Sequence, residues 1–340
     1  MGVVPAPIAA RKRLRVLAPE PGAARYTAVG RREGLMSEGD PLLFGVLVTY
    51  RRPAPLAEAL DAIVSQTTPL EHLVVVDNAP EAPTAALVAT TIPGAQYVPA
   101  PENLGPAGGI ALGMTHLLER AGDDDWIVTL DDDDPPPDPS TFADLLAFAL
   151  ETSARDRTTA AVGLSGVRFD RRRGRVVRVR DDELHDEVAV DAIAGNQCPC
   201  YSVRALRAVG TMRSDLFFGH EELELGLRLG DAGFTLYGHG VRWRTGRAAL
   251  GRMDMELVPS RSLGDLSWRR FYSMRNLVWI LRERGRPGSA LRVILIVGVA
   301  KPVVNLFREP RHAIAHLRAN LRACRDGWTG RMGRTVEPPS

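Results

Sequence analysis

The sequence predicts an α/β protein built on a mostly parallel sheet. Three observations carry this expectation. Two continuous apolar runs, Leu42–Thr49 and Leu73–Asp77, flank a segment with helical spacing. Unbroken apolar runs suit strands covered on both faces, and β-α-β order suits parallel pairing through a right-handed crossover. A third run, Trp126-Ile-Val-Thr-Leu130, passes straight into Asp131-Asp-Asp-Asp134 and three prolines. Ligands of open α/β sheets bind outside the carboxyl ends of strands, which is where those carboxylates fall.

Each element follows from local pattern. Leu56, Leu60, Ile63 and Val64 share one face of a helix over 56–66. Residues 81–91 read as a helix and Ala95–Val98 as a short strand. Glu102-Asn103-Leu104-Gly105-Pro106-Ala107-Gly108-Gly109 then leads into a helix over Ile110–Ala121. Glycines ahead of a helix let backbone approach a ligand, and the helix N-terminus favours an anion. The spacing is not the dinucleotide G-x-G-x-x-G pattern, which argues against a Rossmann dehydrogenase. Ser140–Glu151 reads as a helix capped by Ser140. Strands are expected over Ala160–Phe169 and Val176–Arg180, with Arg171-Arg-Arg-Gly174 as a solvated hairpin tip or a contact for an acidic substrate. Residues 188–203 read as irregular or extended. Leu223, Leu225, Leu227 and Leu229 alternate as in a strand, but good helix formers and Gly233 as a stop favour a helix. Phe234–Tyr237 and Val241–Trp243 read as short strands. Three helices close the chain, over 266–284, 291–307 and 312–324. These divide it into an extension over 1–40 with a short hairpin (Arg13–Val16 and Arg25–Val29), an α/β domain over 41–250 and a helical region over 251–340.

Composition narrows the classes. At 45% hydrophobic and 25% charged residues, with net charge +2, the chain reads as an ordinary globular protein and not a nucleic-acid binder. Lys12 and Lys301 are the only lysines, and arginine supplies the remaining basic charge. Cys198, Cys200 and Cys324 make no disulfide framework and fit a reducing, cytoplasmic compartment. The basic N-terminus lacks a continuous apolar run behind it, so a signal peptide is not expected. Leu291–Ala300 is very apolar but too short to span a bilayer. With Arg292, Lys301, Arg308, Arg311, Arg318 and Arg322 nearby, it reads either as a peripheral element on the anionic inner face of the cell membrane or as a packed helical hairpin.

The carboxylates carry the chemistry. Four adjacent acids at a strand end repel one another, and a divalent cation offsets that repulsion. Oxygen-only ligands suit Mg²⁺ or Mn²⁺, and a strand followed by Asp-x-Asp suggests a metal holding a diphosphate. The plainer alternative is a solvated acidic turn. Asp77 ends the second strand, where it serves a nucleotide or acts as a turn acid. Glu221 and Glu222 open their helix, where the dipole stabilises carboxylate. Facing the acidic loop they make a general base; alone they are a common helix start.

Together these stretches resemble the family 2 glycosyltransferases of the GT-A fold. The matching wording is Val48-Thr49-Tyr50-Arg51-Arg52, Val76-Asp77-Asn78, Asn103-Leu-Gly-Pro-Ala-Gly-Gly109, Leu130-Asp-Asp-Asp133, Phe218-Gly-His-Glu-Glu-Leu-Glu-Leu-Gly-Leu-Arg228 and Arg270-Phe-Tyr-Ser-Met-Arg-Asn276, across residues 42–282. The wording is most similar to bacterial galactofuranosyl- and rhamnosyltransferase-type enzymes. The resemblance implies a Rossmann-like, mostly parallel nucleotide-diphospho-sugar transferase sheet with a C-terminal helical region. It implies that Thr49, Tyr50, Arg51 and Asp77 bind the nucleotide and that Asn103 and Gly108 border the nucleotide-sugar. Asp131 and Asp133 become the Asp-x-Asp motif that holds Mn²⁺ or Mg²⁺, with Asp132 near the ribose or sugar. Glu221 and Glu222 take the place of the family's acidic pair, and Glu222 that of the catalytic base, where Asp is commoner. Arg244 stands where many members carry a metal-ligating histidine. Either His239 substitutes, or the metal lacks that ligand, or Arg244 neutralises the diphosphate.

The implied activity is metal-assisted, inverting transfer from a UDP- or dTDP-sugar to a hydroxyl of a glycan, a lipid-linked acceptor or a small molecule. Two rivals stand beside it. A nucleotidyltransferase would use a nucleoside triphosphate, but no Gly-rich, Lys-bearing loop follows the first strand. A non-enzymatic, membrane-associated scaffold would bind cations through Asp131 to Asp134 without needing a nucleotide.

Overall fold

The computed structural model describes residues 40–255, 268–305 and 310–337. The hairpin expected within residues 1–40 lies outside them. The chain opens β1 (Leu43–Thr49), α1 (Pro53–Val64), β2 (Leu73–Asp77), α2 (Ala82–Thr91), β3 (Gln96–Pro99), α3 (Gly105–Leu118), β4 (Trp126–Asp131) and α4 (Thr141–Arg155). The next strands are β5 (Thr159–Gly163), β6 (Arg168–Asp170), β7 (Arg175–Val177), β8 (Glu187–Val190) and β9 (Cys200–Ser202). Then come α5 (Val203–Val209), α6 (Glu221–Asp231), β10 (Thr235–His239) and α7 (Gly240–Ala249). Three helices follow: α8 (Trp268–Glu283), α9 (Pro287–Val304) and α10 (Pro310–Thr329).

The main sheet runs β3-β2-β1-β4-β9-β5-β10-β8. Parallel pairing joins β3, β2, β1 and β4, and again β5 and β10; only β9 and β8 run against their neighbours. The expected mostly parallel α/β sheet is therefore present, with a C-terminal helical region beside it. Register sets Thr49 beside Asp77 and Val48 beside Asp131, so the ends of β1, β2 and β4 share one edge.

The apolar runs explain the layers. Along β1, Leu43 and Leu47 pack under α1 and α4, while Phe44 and Val46 pack under α3 and α6. Two covered faces with a period of two leave no polar position inside the strand. A third cluster joins Leu223 and Leu227 of α6 to Phe271, Tyr272 and Val278 of α8, Val293 of α9 and Cys324 of α10. All three cysteines are free and buried.

Several expected elements differ. The helix α3 begins at Gly105, so Gly108 and Gly109 lie inside it. They serve helix–sheet packing: a Cβ on Gly109 would sit 2.7 Å from Val48, and one on Gly113 2.0 Å from Val46. Ser140 stands at the start of α4 but makes no cap; its hydroxyl donates to Asp138 and Asp144 (2.8 and 3.2 Å). The expected strand over 160–169 breaks into β5 and β6, with Gly166 pressed on Val190 between them. The β6–β7 hairpin holds, its turn tied by Asp170 to the amides of Arg172 and Arg173. Residues 188–203 include β9, which fills the sheet between β4 and β5. Val241–Trp243 is helical, and the buried side chains Trp243 and Arg247 of α7 fall four residues apart on one face. The apolar helix α9 starts at Pro287. At 18 residues it is long and apolar enough to cross a membrane, contrary to the shorter run read from sequence, and only 22% of it is buried.

Candidate active site

The strand β4 delivers Asp131 half-buried at the sheet edge and Asp132 buried just past it. The helix α6 delivers Glu221 and Glu222 in its first turn. The turn at Gly195-Asn196-Gln197 brings these elements together. Gly195 N–H donates to Glu222 Oε1 (2.9 Å). A Cβ on Gly195 would meet Asp131 Oδ2 at 2.8 Å and Glu222 Oε1 at 3.1 Å, so both carboxylates close on this one residue.

Crowding of acids sets the electrostatics. Burial, then the charge of Glu222, then that of Asp133, pushes the Asp131 carboxyl up to about 7. Burial also raises Glu222, against the opposing bond from Gly195. Glu221 is pushed well up by burial and by Glu222, and its buried Oε2 has no hydrogen-bond partner. Burial outweighs the favourable helix dipole at this N-terminus.

Asp132 and Asp133 face the other way. Thr49 Oγ1 donates to Asp132 Oδ2 (2.8 Å), and Arg52 donates to Asp132 Oδ1 (3.4 Å) and to Asp133. Burial raises Asp132, and the bonds from Thr49, Arg52 and the Tyr50 backbone oppose the rise. Arg52 thus sits among the acids as their counter-charge. Beside it, Arg51 adopts a positive φ of 52° and lays its guanidinium over the Tyr50 ring, 5.3 Å from the centroid.

Other expected binding residues are engaged internally. Asp77 is buried, and its two oxygens accept from Ala79 N–H (2.9 Å) and Tyr97 hydroxyl (2.8 Å), which is the turn-acid arrangement. Asn103 Oδ1 accepts from Gly105 N–H (2.9 Å) and holds the entry to α3. Asn78 reinforces that entry, donating to Gly105 carbonyl and accepting from Leu104 N–H. Gly108 is buried under Leu104.

The structure does not bring His239 to Asp131 and Asp133. Its ring stacks on Phe148 of α4 (centroids 4.5 Å apart), with Arg242, Asp144 and Glu151 as its charged neighbours. Arg244 is exposed on α7. Among the described residues no three His, Cys, Asp or Glu side chains converge as a metal shell. The site instead offers the crowded pair Asp131 and Glu222, with Asp133 exposed beside them. Mg²⁺ and Mn²⁺ characteristically bind one or two carboxylates plus substrate phosphates, so this donor set fits such an ion only together with a diphosphate.

Sequence reading missed Gly195 and Arg52 as site residues. Gly195 lies in a stretch without periodicity, and its signal is only a glycine before two amides. Arg52 lay inside a matched motif, but nothing in the spacing pairs it with acids 80 residues on.

The sequence model of glycosyl transferase family 2 matches residues 46–187. Galactofuranosyltransferase GlfT1 of Mycobacterium tuberculosis is 32% identical over 260 residues, covering 72% of this chain and 83% of that one. Its counterpart in Mycolicibacterium smegmatis is 31% identical over 259 residues, covering 71% and 83%. Among solved structures, GalNAc-T7 with UDP, GalNAc and Mn²⁺ gives a TM-score of 0.49 at 13% identity, covering 60% of this chain and 43% of that one. Mannosyltransferase PcManGT of Pyrobaculum calidifontis with GDP-Man and Mn²⁺ gives 0.43 at 20%, covering 85% and 87%.

A mostly parallel α/β sheet with acids at the carboxyl ends of its strands, taken with these sequence relatives, identifies the chain as a glycosyltransferase. The chain belongs to glycosyl transferase family 2, and within it is similar to galactofuranosyltransferases. That membership sets aside the nucleotidyltransferase and the non-enzymatic scaffold.

Proposed function

We propose that the enzyme transfers a sugar with inversion from a UDP- or dTDP-sugar to a hydroxyl of a glycan, lipid-linked or small-molecule acceptor. Galactofuranose is the sugar in the relatives' name and is the donor sugar we favour. The single observation that carries the proposal is the convergence of Asp131 and Glu222 on Gly195 at the end of β4.

Glu222 is the general base. Its raised proton affinity suits it to take the acceptor hydroxyl's proton as that oxygen attacks the anomeric carbon. The bond from that carbon to the diphosphate breaks on the opposite face, and the electron pair leaves with the nucleoside diphosphate. The Gly195 N–H holds one Glu222 oxygen and leaves the other to the acceptor. Glu221 stands beside the base, its carboxyl pushed well up by burial and by Glu222. Thr49, Tyr50 and Arg51 line the nucleotide side, with Arg52 and Asp132 behind them. Asp131 and Asp133 would hold Mn²⁺ or Mg²⁺ together with the donor's diphosphate, and the ion would supply Lewis-acid neutralisation of the leaving group.

The enzyme works in the cytoplasm, peripherally on the inner face of the membrane. Support comes from α9, where Leu291, Leu295, Ile296, Val303 and Val304 are exposed. Residues 284–325 carry nine basic and one acidic side chains. An apolar face in basic surroundings suits an anionic lipid surface.

Thermal stabilisation by UDP, dTDP, GDP and ATP, each with and without Mn²⁺, tests the donor class. Mn²⁺-dependent stabilisation by UDP or dTDP alone is expected. A response to ATP alone, or to none, contradicts the proposal.

A further inference from the structure

The stretch Arg270-Phe-Tyr-Ser-Met-Arg-Asn276 belongs to α8 and has no part in the chemistry above. Arg275 and Asn276 are fully buried there. Their partners are the backbone carbonyls that lead into the acid pair. Asn276 Nδ2 donates to Leu216 O (3.0 Å), Phe218 O (3.0 Å) and Gly219 O (2.7 Å). Arg275 donates to Leu216 O (2.8 Å) and, through Nε, to Asn276 Oδ1 (2.9 Å). That last bond fixes which end of the Asn276 amide faces the carbonyls.

The segment so held is strained. Phe217 and His220, neither of them glycine, have positive φ, at 62° and 68°, and Gly219 between them takes 81° freely. Phe217 has ψ of −59°, and Phe218 N–H donates to Leu216 O (2.7 Å), the rare γ-turn that costs a non-glycine residue most. Such backbone persists only where its surroundings over-determine it. Here they do so from both sides. Gly105 is packed against Phe217 O, where a Cβ would approach to 2.1 Å, and Gly219 is packed against Ser273 Oγ, where a Cβ would approach to 2.8 Å. His220 is the last strained residue, and Glu221 and Glu222 follow it directly.

We propose that Asn276, oriented by Arg275, is a positioning residue for the acid pair. By holding Leu216–His220 in its strained course it sets where α6 begins, and so where the Glu222 carboxyl stands against Asp131 and Gly195. The inference rests on Glu222 being the base. Three carbonyl oxygens converge on Asn276, so the group facing them must be a donor; aspartate has the same shape but presents oxygens.

The test compares Asn276→Ala and Asn276→Asp with the wild-type enzyme in amide exchange and sugar transfer. Exchange at residues 216–222 quickens about tenfold while β1 and β2 keep their protection. Turnover falls by about tenfold to a hundredfold with the donor KM within about twofold, as expected when a catalytic group is misplaced and not removed. If Asn276→Asp does not fold, Asn276→Ser, which keeps one donor, carries the test and lies between wild type and Ala. Unchanged exchange at 216–222, or loosened exchange with full turnover, overturns the inference. Failure of the base assignment reads separately, as full turnover by Glu222→Gln, while the exchange result still decides whether Asn276 holds the segment.

Discussion

Gly195 is the residue on which the site turns, since a Cβ there would meet the carboxyl oxygens of both Asp131 and Glu222. Gly195→Ala is expected to push the two carboxyls apart. Turnover should fall about a hundredfold and Mn²⁺-dependent nucleotide affinity should weaken with it through Asp131, while metal-free nucleotide binding survives; equal loss of metal-free binding would place Gly195 in general folding. The raised Asp131 carboxyl gives a pH signature. An ordinary carboxyl titrates near 4, whereas Asp131 holds its proton to about 7. The native state therefore binds more protons than the unfolded chain across that window. Its contribution to stability is present at low pH and is lost as pH rises from about 4 to about 7. Thermal melts of metal-free Asp131→Asn should lack this fall relative to wild type, whereas parallel curves would refute the shift. Residue roles were partly legible. The acids announced themselves by type and by position after apolar strands. Arg52 and Gly195 did not, because their significance lies in contacts distant along the chain.

At the scale of elements, strands were the most legible and glycine-containing helices the least. A strand covered on both faces must be apolar throughout, so β1, β2 and β4 could be placed within about a residue. The glycines of α3 are there for close helix–sheet contact, and in sequence they look the same as a loop that admits a ligand. In α7, Val241-Arg-Trp243 alternates over too few residues to distinguish strand from helix. The reading of α3 makes a prediction. Gly113→Val would drive a side chain into Val46 and should cost about 1–3 kcal/mol in denaturant unfolding. A neutral result would mean that α3 stands further from β1.

At the scale of the molecule, the sheet presents its acids at one edge, and α8, α9 and α10 pack on through α6. This arrangement leaves Leu291, Leu295, Ile296, Val303 and Val304 of α9 exposed. Double replacement Leu295→Glu with Ile296→Glu should abolish sedimentation with phosphatidylglycerol vesicles and leave transfer to a soluble acceptor unchanged. Vesicle binding that survives the replacement would remove α9 from any lipid contact. The general architecture was legible because βα units repeat a strong periodic signal. The antiparallel insertion of β9 was not, because three residues are too few to carry a period.

The central claim is that Glu222 is the base of a sugar transfer at the end of β4. The most direct measurement is acceptor-dependent release of nucleoside diphosphate by Glu222→Gln beside wild type, with nucleotide affinity measured on both. Glutamine keeps the shape and the bond from Gly195 but has no proton affinity in this range. The account predicts turnover lower by about a thousandfold or more with affinity within about twofold. Turnover within about tenfold of wild type would contradict it and return the role to Asp131 or Glu221.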